Sequence, residues 1–389
     1  MSNERLYILF LDTGFKYDIE DTYKKISDLL SKYFDGKVVT YGEEGDYKFG
    51  SILIKVFKIY APKRFLIKFR WPIHKLVMTF RSLFYAILHV WKRKLQGKKV
   101  DLIVTYDPLT TGFMGVIVSK LTNTPLIVEI NGDYTALSNY DHIKNKKLKH
   151  LKRKLGMTLE SFVLKHSSGI RILYESQIDA FKHVIKNQEV RVISYYLDVS
   201  NFRNISERKT ISLIGFPFMV KGVDIAIAAF KVIADKFPEW SLEILGFYPP
   251  WEQKRLQKHI DGHKQIKHLK PIMRHDMPEY IGNTGIVLCA SRTEGFPRVI
   301  KEAMYSSKPC IASNVGGLDY AFENNTNGYI FESENIQQLS ALMVELMSDE
   351  TKRKELGESA FKYATDKYTD DAFIEQAQSF YHAVKEKNS

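Results

Sequence analysis

The sequence predicts an α/β protein of two domains, each built on a parallel sheet with helices on both faces (Rossmann-like). Three observations carry this. The chain has 389 residues, and at about 150 residues per domain that length suits two domains. Short apolar runs with strand character alternate with segments of helical period, the pattern of a parallel sheet with helical crossovers. The alternation occurs twice, on either side of a polar stretch without periodicity, Asp198–Arg208.

In the first half, Leu6–Leu11 reads as a buried strand. Asp21–Tyr33 follows with Tyr23, Ile26, Leu29, Leu30 and Tyr33 on one helical face. Leu102–Thr105 reads as a strand, Thr111–Leu121 as a helix and Leu126–Ile130 as a strand. The long helix Lys147–Lys165 precedes the strands Ile170–Leu173 and Val190–Ile193. In the second half, the strands are Ile211–Ile214, Leu242–Leu245, Ile286–Cys289 and Cys310–Ala312. Between them lie the helices Asp224–Lys236, Trp251–His259 and Val299–Tyr305, and Ile336–Met347 with two further helices closes the chain.

Composition excludes several classes. With 44% apolar and 26% charged residues the chain is an ordinary folded protein, not disordered, collagenous or coiled coil. A membrane-spanning helix needs about 20 apolar residues, and the longest charge-free runs, such as Pro108–Ser119, have twelve. The run Leu6–Leu11 is too short for a signal-peptide core, so a cytoplasmic protein is expected. Two cysteines, Cys289 and Cys310, sit in apolar strand-like runs and read as core residues rather than a disulfide or zinc site.

Several motifs of nucleotide, zinc-protease and hydrolase chemistry are absent: G-x-G, G-K-[ST], H-E-x-x-H, G-x-S-x-G and Asp-x-Asp do not occur. No metal is expected at the active site. One motif is present. Ser291–Met304, SRTEGFPRVIKEAM, follows a strand and opens a helix, with carboxylates at Glu294 in the loop and Glu302 in the helix. Backbone N–H groups at a helix N-terminus attract an anion, and a carboxylate accepts hydrogen bonds from hydroxyls. An anion joined to a polyol describes a sugar nucleotide.

This segment resembles the E-x7-E signature of the retaining glycosyltransferases of family 4 (glycosyl transferases group 1), which have the GT-B fold. The resemblance extends to PCIASNVGG at Pro309–Gly317, to Gly215 with Lys221-Gly222, to Leu242–Gly246, and to VISYYLDVSNF at Val192–Phe202. It covers most of residues 190–385 and is weak before them. The resemblance implies two Rossmann-like domains whose parallel sheets face an interdomain cleft. Residues 1–200 would form the acceptor-side domain and 201–370 the donor-binding domain, with a final helix in 371–389 packing back on the first.

It also implies roles. Lys221 would bind the donor diphosphate, Glu302 the ribose hydroxyls, and Glu294 would lie against the transferred sugar. Backbone N–H groups of Gly295, Phe296 and their neighbours would hold sugar or phosphate oxygens. Gly14, in the loop after the first strand, would let the backbone approach the phosphate. The family usually has Arg after the glycine at 215; here Phe216 stands there, leaving Arg292 or Arg298 as replacements. Asn131 falls where the family often has His, so Glu129 or Asp133 would contact the acceptor. The implied reaction is transfer with retention, with Glu294, Lys221 and Asn131 as its catalytic residues. The donor is a UDP- or GDP-linked sugar and no cofactor is required.

The net charge of +12 is concentrated. From Tyr47 to Val100 there are fourteen Lys and Arg and no acid, and the rest of the chain has 43 basic and 45 acidic residues. Lys63, Arg64, Lys68, Arg70 and Trp71 interleave with apolar residues there, between Pro62 and Pro72, which interrupt helix. Lys75–Trp91 follows as a mostly buried helix. The pattern suits an anionic membrane face rather than nucleic acid, for which no reading motif is present. The combined expectation is sugar transfer to a lipid-linked glycan or glycolipid in cell-surface polysaccharide synthesis, at the inner face of the membrane. A nucleotide-sugar epimerase of the same fold and an inactive assembly partner are the alternatives.

Overall fold

A computed structural model describes residues 5–16, 19–58, 67–140, 143, 145–323 and 326–389. The chain divides into two compact units. One comprises 1–131, 154–196 and 370–389, the other 132–153 and 197–369. The segment 132–153 thus packs with the second unit, a departure from a division at 200/201.

In the first unit the strands are β1 (Tyr7–Lys16), β2 (Asp35–Gly42), β3 (Gly45–Phe49), β4 (Ile52–Lys58), β5 (Leu102–Thr105), β6 (Leu126–Glu129), β7 (Gly169–Ile172) and β8 (Glu189–Val192). They order as β3-β4-β2-β1-β5-β6-β7-β8. All neighbours are parallel except the β3/β4 hairpin. The central strands are buried on both faces, which is why β5 reads LIVT without polar alternation. The helices are α1 (Ile19–Leu30), α2 (Ile67–Leu95), α3 (Thr110–Thr122) and α4 (Lys146–Lys165). Gly115 lets α3 approach the sheet: a Cβ there would stand 2.6 Å from Thr105 Cγ2 and 2.7 Å from Leu126 Cδ1.

The second unit carries β9 (Thr210–Ile214), α5 (Val223–Ile233), β10 (Ser241–Leu245), α6 (Pro250–Ile260), β11 (Ile266–Leu269), α7 (Met277–Gly282), β12 (Ile286–Cys289), α8 (Arg298–Tyr305), β13 (Cys310–Ser313), β14 (Tyr329–Phe331), α9 (Ile336–Ser348) and α10 (Glu350–Lys367). Its strands order as β11-β10-β9-β12-β13-β14, all parallel. Residues Asn335 and Asp349 cap α9 and α10, their side chains accepting from Gln338 N at 3.0 Å and Lys352 N at 2.9 Å. One apolar core joins Ile211, Leu213, Phe230, Leu242, Leu288 and Met343. Cys289 and Cys310 are buried free thiols, and burial pushes the Cys289 thiol up to about 12.

The final helix, α11 (Asp370–Lys387), belongs to the first unit. Its Ile374, Ala377, Phe380 and Val384 join Leu6, Leu102 and Ile127 in that core. Val384 packs so closely over β7 that a Cβ on Gly169 would meet its Cγ2 at 2.6 Å.

Two sequence readings are corrected. Helix α2 begins at Ile67 and contains Pro72; one lost backbone donor does not end a helix this long. The same helix is not mostly buried: Ser82, Ala86 and Val90 face inward, while Phe80, Phe84 and Leu88 are exposed.

Candidate active site

The loop after β9 and the loop after β12 lie side by side and build the site. Gly215 ends β9 with φ +137°, and the stem of Lys221 lies over it. A Cβ at 215 would meet Lys221 Cε at 2.8 Å. Gly222 starts α5 with φ +59°, where a Cβ would stand 1.8 Å from the Ala290 carbonyl oxygen. Both positions therefore demand glycine. The first forms a channel for the lysine, and the second lets the two loops touch.

From that channel Lys221 Nζ donates to Glu294 Oε1 at 2.5 Å. The same oxygen accepts from Ser291 Oγ at 2.7 Å, and Ser313 Oγ donates to the Ser291 carbonyl at 2.6 Å. The Lys221 and Glu294 side chains are 19% and 11% exposed, open enough on one side to meet a ligand. Burial works against the ammonium, but the Glu294 carboxylate outweighs it, so the Lys221 pKa is raised and its charge is secure.

Arg292 locks the two loops. Its Nη1 and Nη2 donate to Asp224 Oδ1 and Oδ2 at 2.8 and 2.9 Å, and Nη1 also reaches the Met219 carbonyl at 2.8 Å. Glu334 takes the remaining face, Nε to Oε1 at 2.5 Å. Burial raises the Asp224 pKa, but the bidentate Arg292 contact prevails and holds it below the ordinary value. Thr293 Oγ1 donates to Asp133 Oδ2 at 3.0 Å, tying segment 132–153 to the signature loop.

Helix α8 opens at Pro297 without a side-chain cap; its Ile300 amide donates to the Pro297 carbonyl at 3.2 Å, and its N-terminal dipole end attracts an anion. It is anchored by Ile300, Ala303 and Met304. Glu302 is largely buried one turn in, with Arg298 Nε 4.0 Å away. Burial raises the Glu302 pKa; Arg298 and Arg274 only partly oppose it. The Gly295 carbonyl accepts from Gly317 N at 2.7 Å, which brings the glycine pair against the signature loop.

The structure therefore gathers Lys221, Glu294, Gly295, Arg298 and Glu302 around two adjacent loops. The Phe296 ring is a core group, set edge-on to Tyr368 at 5.7 Å, and the expectation for this residue concerns only its backbone N–H. The Arg292 guanidinium is engaged by Asp224, Glu334 and the Met219 carbonyl. Gly14 lies inside β1 rather than in a loop after it, in the stretch between Leu11 and Phe15 where pairing with β2 shifts register. Lys63 and Arg64 lie outside the described residues, and only the α2 backbone is described at Lys68, Arg70 and Trp71.

Asn131 has both ends of its amide committed. Nδ2 donates to the Tyr106 carbonyl at 2.8 Å and Oδ1 accepts from Arg171 at 3.1 Å. Arg171 also pairs with Glu129 at 2.6 Å. These three residues form a satisfied polar network, and that accounts for the asparagine. Asp224 escaped the sequence reading, and so did the contacts of Ser291 with Glu294 and of Asp133 with Thr293. Only their proximity to the signature, or their ability to cap a loop, could have marked them.

A family model described as "Glycosyl transferases group 1" matches residues 200–363. An uncharacterized glycosyltransferase of Haemophilus influenzae is 33% identical over 135 residues, 34% of this chain and 38% of that one. An uncharacterized glycosyltransferase of Methanocaldococcus jannaschii is 26% identical over 293 residues, 73% of this chain and 77% of that one. Among solved structures, Anabaena HepE in complex with UDP and glucose has a TM-score of 0.72 at 18% identity, covering 96% of this chain and 99% of that one. At that identity the likeness concerns the fold: two parallel-sheet α/β domains of the GT-B type.

Proposed function

We propose, from the match of residues 200–363 to the group 1 glycosyl transferase model, that the chain is a retaining glycosyltransferase. It moves a sugar from a UDP- or GDP-linked donor to a hydroxyl of a lipid-linked glycan or glycolipid, in cell-surface polysaccharide synthesis. The observation that carries the reading is the Lys221–Glu294 contact, beside an uncapped helix N-terminus and the buried Glu302. A cation, a helix N-terminus and carboxylates meet there, as a sugar diphosphate requires.

In the free protein the Lys221 ammonium rests on Glu294. A bound diphosphate takes that cation as a point-charge partner, and Glu294 turns to the sugar hydroxyls. As the sugar–phosphate bond breaks, negative charge grows on the leaving oxygen, where Lys221 and the α8 amides stabilise it. The acceptor oxygen bonds to the anomeric carbon from the same face, and its proton passes to the departing diphosphate. No further base and no cofactor is needed. The donor nucleotide has precedent in HepE, whose solved complex holds UDP and glucose.

The acceptor class rests on the fourteen basic residues without an acid between Tyr47 and Val100, suited to the anionic inner face of a membrane. The deciding experiment is the anomeric configuration of the product made from an α-linked nucleotide sugar. An α-linked product is expected, and an inverted product refutes the proposal.

A further inference from the structure

Helix α2 presents an apolar face that the described residues do not cover. Between Leu76 and Leu95 seven large apolar side chains are 43% to 85% exposed, among them Phe80, Phe84, Leu88, Trp91 and Leu95. At 100° per residue they fall within an arc of about 120°. Ser82, Ala86 and Val90 lie on the opposite side and are buried. The helix is thus anchored by one face and apolar on the other, the reverse of a surface helix that meets water.

The charges that α2 itself places around this arc are all basic. Lys92 and Lys94 flank its two edges, and the Lys94 ammonium stands 5.5 Å over the Trp91 ring. Lys98 and Lys99 follow, both exposed. Arg81 and Arg93 have partners within the chain. The first pairs with Glu44 at 3.5 Å, and the second lies 3.4 Å over the Tyr7 ring. An apolar arc edged by lysines matches a lipid surface, with aromatic and aliphatic groups below the headgroups and ammonium groups among anionic ones. Among the described residues no helix is long and apolar enough to cross a membrane, so such a helix would lie in the interface.

We propose that α2 is an interfacial docking helix that inserts its Leu76–Leu95 apolar face into an anionic membrane. Its value for catalysis rests on the lipid-linked acceptor proposed above; the docking face itself does not. The test is flotation of the full chain with phosphatidylcholine vesicles, with and without one-third phosphatidylglycerol. It is run for wild type and for a Phe80→Ser, Phe84→Ser, Leu88→Ser variant. Nucleotide-induced thermal shift reports folding and the donor site separately.

The expected result is binding to the anionic vesicles, at least tenfold weaker in the variant, with equal nucleotide response in both proteins. Equal flotation of variant and wild type overturns the proposal. So does a wild type that ignores lipid and dimerises through this face. A wild type that ignores lipid while the variant loses thermal stability also overturns it, because the chain itself then covers the face. Loss of the nucleotide response in wild type counts against the transferase reading and leaves the docking face to be judged on flotation alone.

Discussion

Lys221 and Glu294, 73 residues apart, meet with Nζ 2.5 Å from Oε1 at the junction of two loops. The contact places a secure cation where a donor diphosphate is expected. Lys221→Ala should lower kcat by roughly 10²–10³ if the ammonium stabilises the leaving group. Lys221→Met, which keeps the stem over Gly215, should fold normally and be equally slow. Steady-state kinetics with unchanged melting temperature checks this.

Gly215→Ala addresses the same lysine from its other end. The added methyl would stand 2.8 Å from Lys221 Cε, on a backbone with φ +137°. The expected cost is about 1–3 kcal/mol of stability, with a disproportionate loss of nucleotide affinity. Calorimetric binding compared with urea unfolding distinguishes that from a purely structural effect.

Arg292→Ala should act on stability. It leaves the half-buried Asp224 carboxylate without its bidentate partner, at a cost of about 2 kcal/mol. Because the native pKa of Asp224 is depressed, this stabilisation is present above its ordinary value of 3.8 and is lost as pH falls through the lower native value. The wild-type advantage over Arg292→Ala should therefore shrink in that acid range, as measured by unfolding at graded pH.

Glu302 has the opposite sign. Burial raises its native pKa, so the folded state keeps a proton that the unfolded chain has released. Stability falls as pH rises from 4.5 through the raised value. Glu302→Gln removes that loss. The variant should melt higher than wild type at pH 8, and less so at pH 4, while binding nucleotide more weakly. A carboxylate that costs the free protein stability is in keeping with a place in the binding site.

Much of this was legible before the structure. Buried parallel strands such as Ile286–Cys289 announce themselves as unbroken apolar runs, and the signature loop is a local pattern. Strand β4 was not legible. Its Lys55 and Lys58 belong to a half-solvated edge region, and in sequence they merge with the basic run. The engagement of Asn131 was not legible because its partner Arg171 is 40 residues away, and no local pattern reports such a contact. The exposure of α2 was hidden for a related reason: an apolar helix reads as buried until the sheet has used one face and left the other.

The measurement that tests the central claim most directly is thermal unfolding with UDP, GDP, ADP, CMP and dTDP, on wild type and Glu302→Ala. A nucleotide at 100 times its Kd stabilises by about 2.7 kcal/mol. A donor site at Lys221, Glu294 and Glu302 predicts that UDP or GDP raises the wild-type melting temperature and that Glu302→Ala loses most of the shift. No shift with any nucleotide, or an undiminished shift in the variant, would contradict it.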